Sequence, residues 1–297
     1  MNDYLISILL GVIEGITEFL PISSTAHLRI AEALLHIDLA DGYWKMYTIA
    51  IQLGAVLALP VYFRARIATF CSTFPTGEHG ERGPLTHPLG LTLVAFVVTA
   101  VPAFLLTKVI GQNLESLFVM GLSLVVGGVV MWGVDALNAR GELQGPGAIG
   151  SRVTTWQLEK MHVAQAVWIG ACQVLSAVFP GTSRSMSTIA AGQLAGMSRS
   201  AALEFSFFLS MPTMAAATGY DLLKSVRGHE ANPIGVSHID AHGWFVLGIG
   251  FVVSFAVAYA SVEWLIRWVR TRGFAPFALY RVLLGALVLL LATRLAG

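Results

Sequence analysis

Charged residues are scarce in this chain of 297 residues. They make up only 12% of the sequence, against about 25% in a typical soluble domain. Hydrophobic residues make up 56%, and the mean hydropathy is +0.72. This composition excludes an ordinary soluble domain and predicts an integral membrane protein whose main surroundings are the lipid bilayer.

The chain also lacks a surplus of basic residues and a framework of cysteines. A net charge of +1 and the absence of a basic run exclude nucleic acid as a partner. Cys71 and Cys172 stand alone, without the spacing of a disulfide framework or a zinc site. No Lys or Arg precedes Arg29, which argues against a cleaved signal peptide, so we expect residues 1–297 to be the mature chain.

Long apolar runs predict where the chain crosses the membrane. Each of six runs has about the 20 residues that a helix needs to span a bilayer. They lie near 43–63, 89–108, 116–135, 203–223, 243–266 and 276–296. The polar segments 64–87 and 136–161 are predicted to be solvent-exposed loops.

Two further apolar runs are short for a crossing. The runs 4–20 and 162–179 both end at a proline followed by a loop rich in hydroxyl groups. A second short helix is predicted after each break, over 22–36 and 184–197. Irregular backbone at membrane depth is tolerated only inside protein or along a wet cavity, so we predict two re-entrant helical hairpins.

The two halves of the chain resemble each other. An alignment without gaps lays Pro21 on Pro180 and Ser24 on Ser183. Each half would comprise one hairpin and three crossings, and an odd number of crossings inverts the second copy. The predicted fold is therefore an all-α integral membrane protein with an inverted repeat. Its single membrane domain, 1–297, would contain repeat 1 at about 1–140 and repeat 2 at about 160–297.

The distribution of Lys and Arg among the loops predicts the orientation. The loops that contain Arg64, Arg140 and Arg267 carry more Lys and Arg than those on the opposite side. Cytoplasmic loops carry an excess of these residues. The first hairpin and both chain ends would then lie on the outer side.

Two polar clusters interrupt the apolar sequence. The first, Glu14 to His27, reads EGITEFLPISSTAH. Glu14 and Glu18 share one helix face at i, i+4, and Ser23, Ser24 and Thr25 add hydroxyl groups. Two carboxylates in an apolar setting need a shared proton, a cation or an arginine.

The second cluster, Pro180 to Ser187, reads PGTSRSMS. Its hydroxyl groups and arginine precede a predicted helix, and such a helix start can hold phosphate oxygens. They come from Thr182, Ser183, Arg184 and Ser185. The clusters together predict phosphoryl chemistry, with carboxylate and imidazole as acid and base, a hydroxyl group as nucleophile and arginine as the anion ligand.

Structural readings stand beside these functional ones. Hydroxyl groups in membrane helices often satisfy their own helix carbonyls, and a single histidine is more often a core residue. Arg199 fits either an interfacial anchor or a second phosphate ligand. Arg281 lies inside the last apolar run, where its side chain reaches the interface only with difficulty.

Four segments carry a resemblance to a known family. GVIEGITEFLPISSTAH at 11–27, PGTSRS at 180–185, LEFSFFLSMPTM at 203–214 and FAPFALYR at 274–281 resemble signature segments of the bacterial undecaprenyl-diphosphate phosphatase family, also known for bacitracin resistance. The resemblance covers essentially the whole chain. It implies a multi-pass hydrolase of the bacterial inner membrane that converts undecaprenyl diphosphate to the monophosphate carrier of peptidoglycan synthesis.

The resemblance also assigns residues. It implies catalytic roles for Glu14, Glu18, Ser24, His27 and Arg184, and Arg281 matches the arginine of the last signature segment. It further implies Mg²⁺ or Ca²⁺, for which Glu14 and Glu18 are the expected ligands, and an active site towards the outer face. The expected phosphate-binding set is Ser23, Thr25, Thr182, Ser183, Ser185, Arg199 and Arg281.

Alternatives remain at this point. Ser24 would attack phosphorus after His27 or Glu18 accepts its proton, or a metal-activated water would attack with Ser24 as a ligand only. A polyprenyl-phosphate flippase with the same site is the alternative function, since inverted repeats with broken helices are also found in transporters. The oligomeric state stays open, with a homodimer as the one candidate.

Overall fold

A computed structural model describes residues 2–37, 42–78, 80–107, 116–147, 151–226 and 239–295. Helices dominate these residues, and no β-strand occurs among them. The predicted all-α class is confirmed.

Eleven α-helices are present in the described ranges. They are α1 (Asp3–Thr17), α2 (Ser24–Leu34), α3 (Gly42–Tyr62), α4 (Arg64–Thr73), α5 (Pro88–Leu105), α6 (Leu117–Gln144), α7 (Val163–Val178), α8 (Arg184–Leu194), α9 (Arg199–Val226), α10 (Ala241–Arg272) and α11 (Ala275–Leu295). A short 3₁₀ helix, Leu158–Lys160, precedes α7.

Five of the described helices are long and apolar enough to cross a membrane, namely α3, α5, α6, α10 and α11. They coincide with five of the six predicted crossings. The sixth, 203–223, lies inside α9 but is not among these five. Polar side chains along α9, among them the buried Ser206, Ser210 and Thr218, reduce its apolar character.

The predicted breaks lie ahead of the two prolines. Helix α1 ends at Thr17, ahead of Pro21, and α7 ends at Val178, ahead of Pro180. A residue that precedes proline is disfavoured in helical backbone, which promotes these ends. Helices α2 and α8 then begin at 24 and 184. A pair of short helices around a break is therefore present in both halves.

The chain divides into two compact units. The first unit contains Met1–Phe19, Ser24–Phe63 and Ser210–Trp264. In it, α1 packs on α2 and α3. Gly15 of α1 also lies close to α10, since a Cβ on Gly15 would be 2.7 Å from Cβ of Val257.

The second unit contains Leu20–Ser23, Arg64–Leu209 and Leu265–Gly297. In it, α6 packs against α11, and α7 packs on both α5 and α8. Glycines make the α6–α11 contact close, because a Cβ on Gly285 would lie 2.8 Å from the carbonyl oxygen of Gly121.

The prediction that 64–87 and 136–161 are only loops is wrong in part. Helix α4 occupies the first segment, and α6 continues into the second as far as Gln144. Tertiary contacts stabilise α4: Arg66 bonds to Glu204 at 2.9 Å and to Glu159 at 2.6 Å, and Phe70 packs on Phe208. These partners of Arg66 and Phe70 lie far away in the sequence. The composition of 64–87 does not reveal such contacts, and by itself it predicts a loop.

Candidate active site

The paired glutamates lie on one helical turn, as predicted. The backbone N–H of Glu18 donates to the carbonyl oxygen of Glu14 at 2.9 Å, directly after the end of α1. Both side chains are buried, Glu14 completely and Glu18 with 7% exposure. The two glutamate side chains thus lie one helical turn apart, where water has little access.

Ser24 contacts the second of these carboxylates. Its hydroxyl group donates a hydrogen bond to Oε2 of Glu18 at 2.6 Å. Ser24 is half-buried and is the first residue of α2. A hydroxyl group that donates to a buried carboxylate has the arrangement of a nucleophile beside its base.

The other polar residues of the first cluster are close neighbours of Ser24 in the sequence. Thr25 and His27 are half-buried in the first turn of α2. Ser23 is buried, and its backbone has a φ of 76°. A non-glycine residue in this left-handed region is uncommon and strained. The strain lies immediately before the candidate nucleophile.

The second cluster has the same local feature. Ser183 has a φ of 68° and directly precedes Arg184, the first residue of α8. The Ser183 hydroxyl accepts from the backbone N–H of Met186 at 3.3 Å and lies 3.1 Å from the Ser185 hydroxyl. Thr182 and Arg184 are half-buried. The start of α8 therefore offers side chains of the kind that bind phosphate.

Two of the predicted phosphate ligands form hydrogen bonds to backbone groups. The Ser185 hydroxyl donates to the carbonyl oxygen of Leu20 at 3.1 Å. Arg281 donates to four backbone carbonyl oxygens and has no exposed surface. Phosphate binding by Ser185 and Arg281 stays a prediction.

Arg199 lies in an ion pair that the sequence analysis missed. Its Nε donates to Oδ1 of Asp135 in α6 at 2.7 Å. Asp135 also accepts from the backbone N–H of Phe274 at 3.1 Å and from Gln193 at 3.4 Å. A carboxylate inside an apolar run is a signal of a buried polar partner. Asp135, at the end of the run 116–135, carries that signal.

We expect Arg199→Met to lower the stability of the protein. Removing one partner of a buried pair leaves an uncompensated charge on Asp135 and costs about 3 kcal/mol. The midpoint of thermal unfolding in detergent should fall, and the double variant Arg199→Met with Asp135→Leu should recover most of the loss. An unchanged midpoint with a raised KM for the substrate would instead identify Arg199 as a phosphate ligand.

The expected metal site rests on Glu14 and Glu18. No group of three or more His, Cys, Asp or Glu side chains converges among them in a way that would hold an ion. Mg²⁺, however, is often bound by one or two carboxylates together with substrate phosphate oxygens and water. Glu14 and Glu18 fit the carboxylate part of such a site.

The clusters belong to different units of the chain. Glu14, Glu18, Ser24 and His27 lie in the first unit, and Thr182 to Ser185 lie in the second. The break residues Leu20–Ser23 also belong to the second unit, although Ser23 directly precedes Ser24 in the chain.

Comparison with known proteins gives consistent matches over the whole length. Residues 7–287 match the family model described as bacitracin resistance protein BacA. An undecaprenyl-diphosphatase of Koribacter versatilis is 61% identical over 296 residues, which are 99% of this chain and 100% of the relative. Undecaprenyl-diphosphatases of Thermus thermophilus and Caldanaerobacter subterraneus are 38% and 36% identical, with at least 94% of each chain covered. This chain therefore belongs to the bacitracin resistance protein BacA family.

Proposed function

We propose that this protein hydrolyses undecaprenyl diphosphate to undecaprenyl phosphate and inorganic phosphate. The reaction recycles the lipid carrier of peptidoglycan synthesis, and carrier turnover accounts for resistance to bacitracin. Full-length similarity to undecaprenyl-diphosphatases supports this activity. The single structural observation that supports it is the 2.6 Å hydrogen bond from the Ser24 hydroxyl to Glu18.

Ser24 is the nucleophile of the proposed reaction. Its Oγ forms a bond to the terminal phosphorus while the bond to the bridging oxygen breaks, and undecaprenyl phosphate leaves. Glu18 accepts the Ser24 proton, because its carboxylate is already the acceptor of that hydrogen bond. Water then hydrolyses the phosphoserine, which releases phosphate and restores Ser24. His27, one turn along α2, would exchange protons with the leaving group and the attacking water.

Arg184 is the proposed ligand of the diphosphate. A guanidinium group binds two phosphate oxygens at once and stabilises the charge that develops in the transition state. The neighbouring Thr182 and Ser183, with Ser23 and Thr25 of the first cluster, would add hydrogen-bond donors. Arg199 and Arg281 are left out of this set because their guanidinium groups are engaged elsewhere.

Glu14 and Glu18 would hold a divalent cation, Mg²⁺ or Ca²⁺, together with the substrate phosphate. When bound, the ion supplies positive charge that offsets the diphosphate. We expect Glu14→Gln to raise the Mg²⁺ concentration for half-maximal activity about 10-fold or more, since losing one carboxylate weakens binding of a hard cation. Titration of Mg²⁺ into chelator-treated protein measures this value, with Glu78→Gln, whose side chain is exposed, as the control. Equal midpoints for all three proteins would contradict the assignment.

Similar local geometry supports the proposed inverted repeat. In both halves a short helix ends before a proline, a serine with positive φ follows, and a second short helix begins at the next residue. We propose that both pairs are re-entrant hairpins of a multi-pass protein in the bacterial inner membrane. The Lys and Arg distribution supports an active site towards the outer side.

Phosphate release separates the proposed activity from lipid movement. Purified protein in detergent should release phosphate from undecaprenyl diphosphate, because hydrolysis needs no second membrane face. The same preparation in vesicles would be tested for movement of polyprenyl phosphate between leaflets. Lipid movement without phosphate release in either setting would contradict the proposal and favour a flippase.

A further inference from the structure

Arg281 occupies an unusual position in the second unit. Its guanidinium group has no exposed surface. Nη1 donates to the carbonyl oxygen of Pro21 at 3.2 Å, and Nη2 lies within donor distance of the carbonyl oxygens of Gly181 and Thr182 at 3.0 Å and of Ser123 at 3.2 Å. No carboxylate forms an ion pair with it in the part of the chain that the structure describes.

A buried guanidinium group of this kind lowers the stability of the folded protein. Burial of an arginine without a counter-charge is strongly unfavourable in an apolar setting. Among the described residues, Nε of Arg281 also has no hydrogen-bond partner. The carbonyl groups that Arg281 contacts are not its helix neighbours, since they are far from α11 in the sequence. We therefore infer the role of Arg281 from the segments to which these carbonyl groups belong.

Three of the four carbonyl groups belong to the two helix breaks. Pro21 lies two residues before Ser23, and Gly181 and Thr182 lie directly before Ser183. Ser23 and Ser183 are the strained residues with positive φ. Backbone strain of this kind is unfavourable and persists only where surrounding contacts fix it. Arg281 supplies contacts of that kind to both breaks.

We propose that Arg281 is a positioning residue that holds the two helix breaks in their strained conformations. Through them it fixes the chain directly before Ser24 and before Arg184. It acts on backbone and makes no contact with phosphate. The consequence for turnover rests on the proposed phosphatase activity, whereas the consequence for the conformation of the breaks does not.

Gly127 of α6 gives a way to disturb this arrangement without removing its charge. A Cβ on Gly127 would clash with Nη2 of Arg281 and would lie 2.7 Å from Cε of Met186. Both atoms are at the ends of flexible side chains, so Gly127→Ala should fold and displace the guanidinium group. Gly133 of the same helix has nothing within 4 Å of its Cβ position, which makes Gly133→Ala the matched control.

The test combines amide hydrogen exchange with kinetics on the full-length protein in detergent. Gly127→Ala and Arg281→Met should both speed exchange in the peptides that cover 20–24 and 181–185, while peptides around Asp135 keep the wild-type rate. The kcat for undecaprenyl diphosphate should fall on the order of 10-fold or more, because small displacements of catalytic groups strongly lower the rate of the chemical step. KM and the inhibition constant of inorganic phosphate should change less than about 3-fold. Gly133→Ala should match the wild type throughout.

Other outcomes would overturn the proposal. Unchanged exchange in both breaks, with inhibition by phosphate lost in Arg281→Met, would make Arg281 a phosphate ligand. Faster exchange with unchanged kcat would mean that the breaks do not position the catalytic groups, which overturns the proposed consequence for turnover. If Arg281→Met does not fold, the exchange and kinetic measurements on Gly127→Ala are sufficient for the test. If the wild type releases no phosphate, the proposed function fails, and the exchange measurement still decides whether Arg281 holds the breaks.

Discussion

Ser24→Ala should lower kcat by at least on the order of 10³-fold, because removal of a catalytic nucleophile is among the most damaging single changes an enzyme can undergo. KM should change little, since the groups proposed to bind the diphosphate remain. The side chain removed is the one that donates at 2.6 Å to Glu18. Phosphate release from undecaprenyl diphosphate, followed in detergent with purified protein, measures the effect.

Ser176→Ala is a suitable control for this change. The Ser176 hydroxyl donates only to the carbonyl oxygen of Gln173 in its own helix, at 2.7 Å. It therefore represents the structural role that a serine commonly has in an apolar helix. We expect it to keep the wild-type kcat. A Ser24→Ala protein that turns over at the wild-type rate would exclude Ser24 as nucleophile and favour direct attack by water.

Arg184→Ala should lower kcat/KM on the order of 10²-fold or more, equivalent to about 2.7 kcal/mol of transition-state stabilisation. Arg184 is half-buried at the first position of α8, directly after the strained Ser183. Arg184→Lys should recover only part of the loss, since an ammonium group cannot bind two phosphate oxygens as a guanidinium group does. The inhibition constant of inorganic phosphate should rise in parallel.

The matched control for Arg184 is Arg140→Ala. Arg140 lies on α6 with its side chain exposed, so its removal takes away one positive charge and no ligand. Kinetics close to the wild type are expected for this variant. Similar losses in Arg140→Ala and Arg184→Ala would mean that net charge, and not a specific ligand, determines the rate.

Local features of the fold were predictable from the sequence. The helix breaks near Pro21 and Pro180 follow from the backbone restriction that proline imposes on the residue before it. The i, i+4 spacing of Glu14 and Glu18 likewise determines their shared helix face, which the structure confirms. These predictions depend only on residues that are neighbours in the chain.

The roles of Arg199 and Arg281 could not be read from the sequence in the same way. An arginine in an apolar stretch indicates a buried partner, but the partner is not specified by its neighbours. Asp135 is 64 residues away from Arg199. The partners of Arg281 are backbone carbonyl groups. Every residue has such a group, so the pattern of side chains in the sequence does not indicate which of them bind Arg281. Only the tertiary structure reveals these contacts, and phosphate binding by either arginine stays a prediction.

The most direct test of the proposed mechanism is a search for the covalent intermediate. Undecaprenyl diphosphate labelled with ³²P in its terminal phosphate would be mixed with excess protein and quenched in acid within milliseconds to seconds. We expect label on the peptide that contains Ser24, in amounts that rise and then decay as free phosphate appears, with none in Ser24→Ala. Release of labelled phosphate at the full single-turnover rate with no labelled peptide at any time would contradict it.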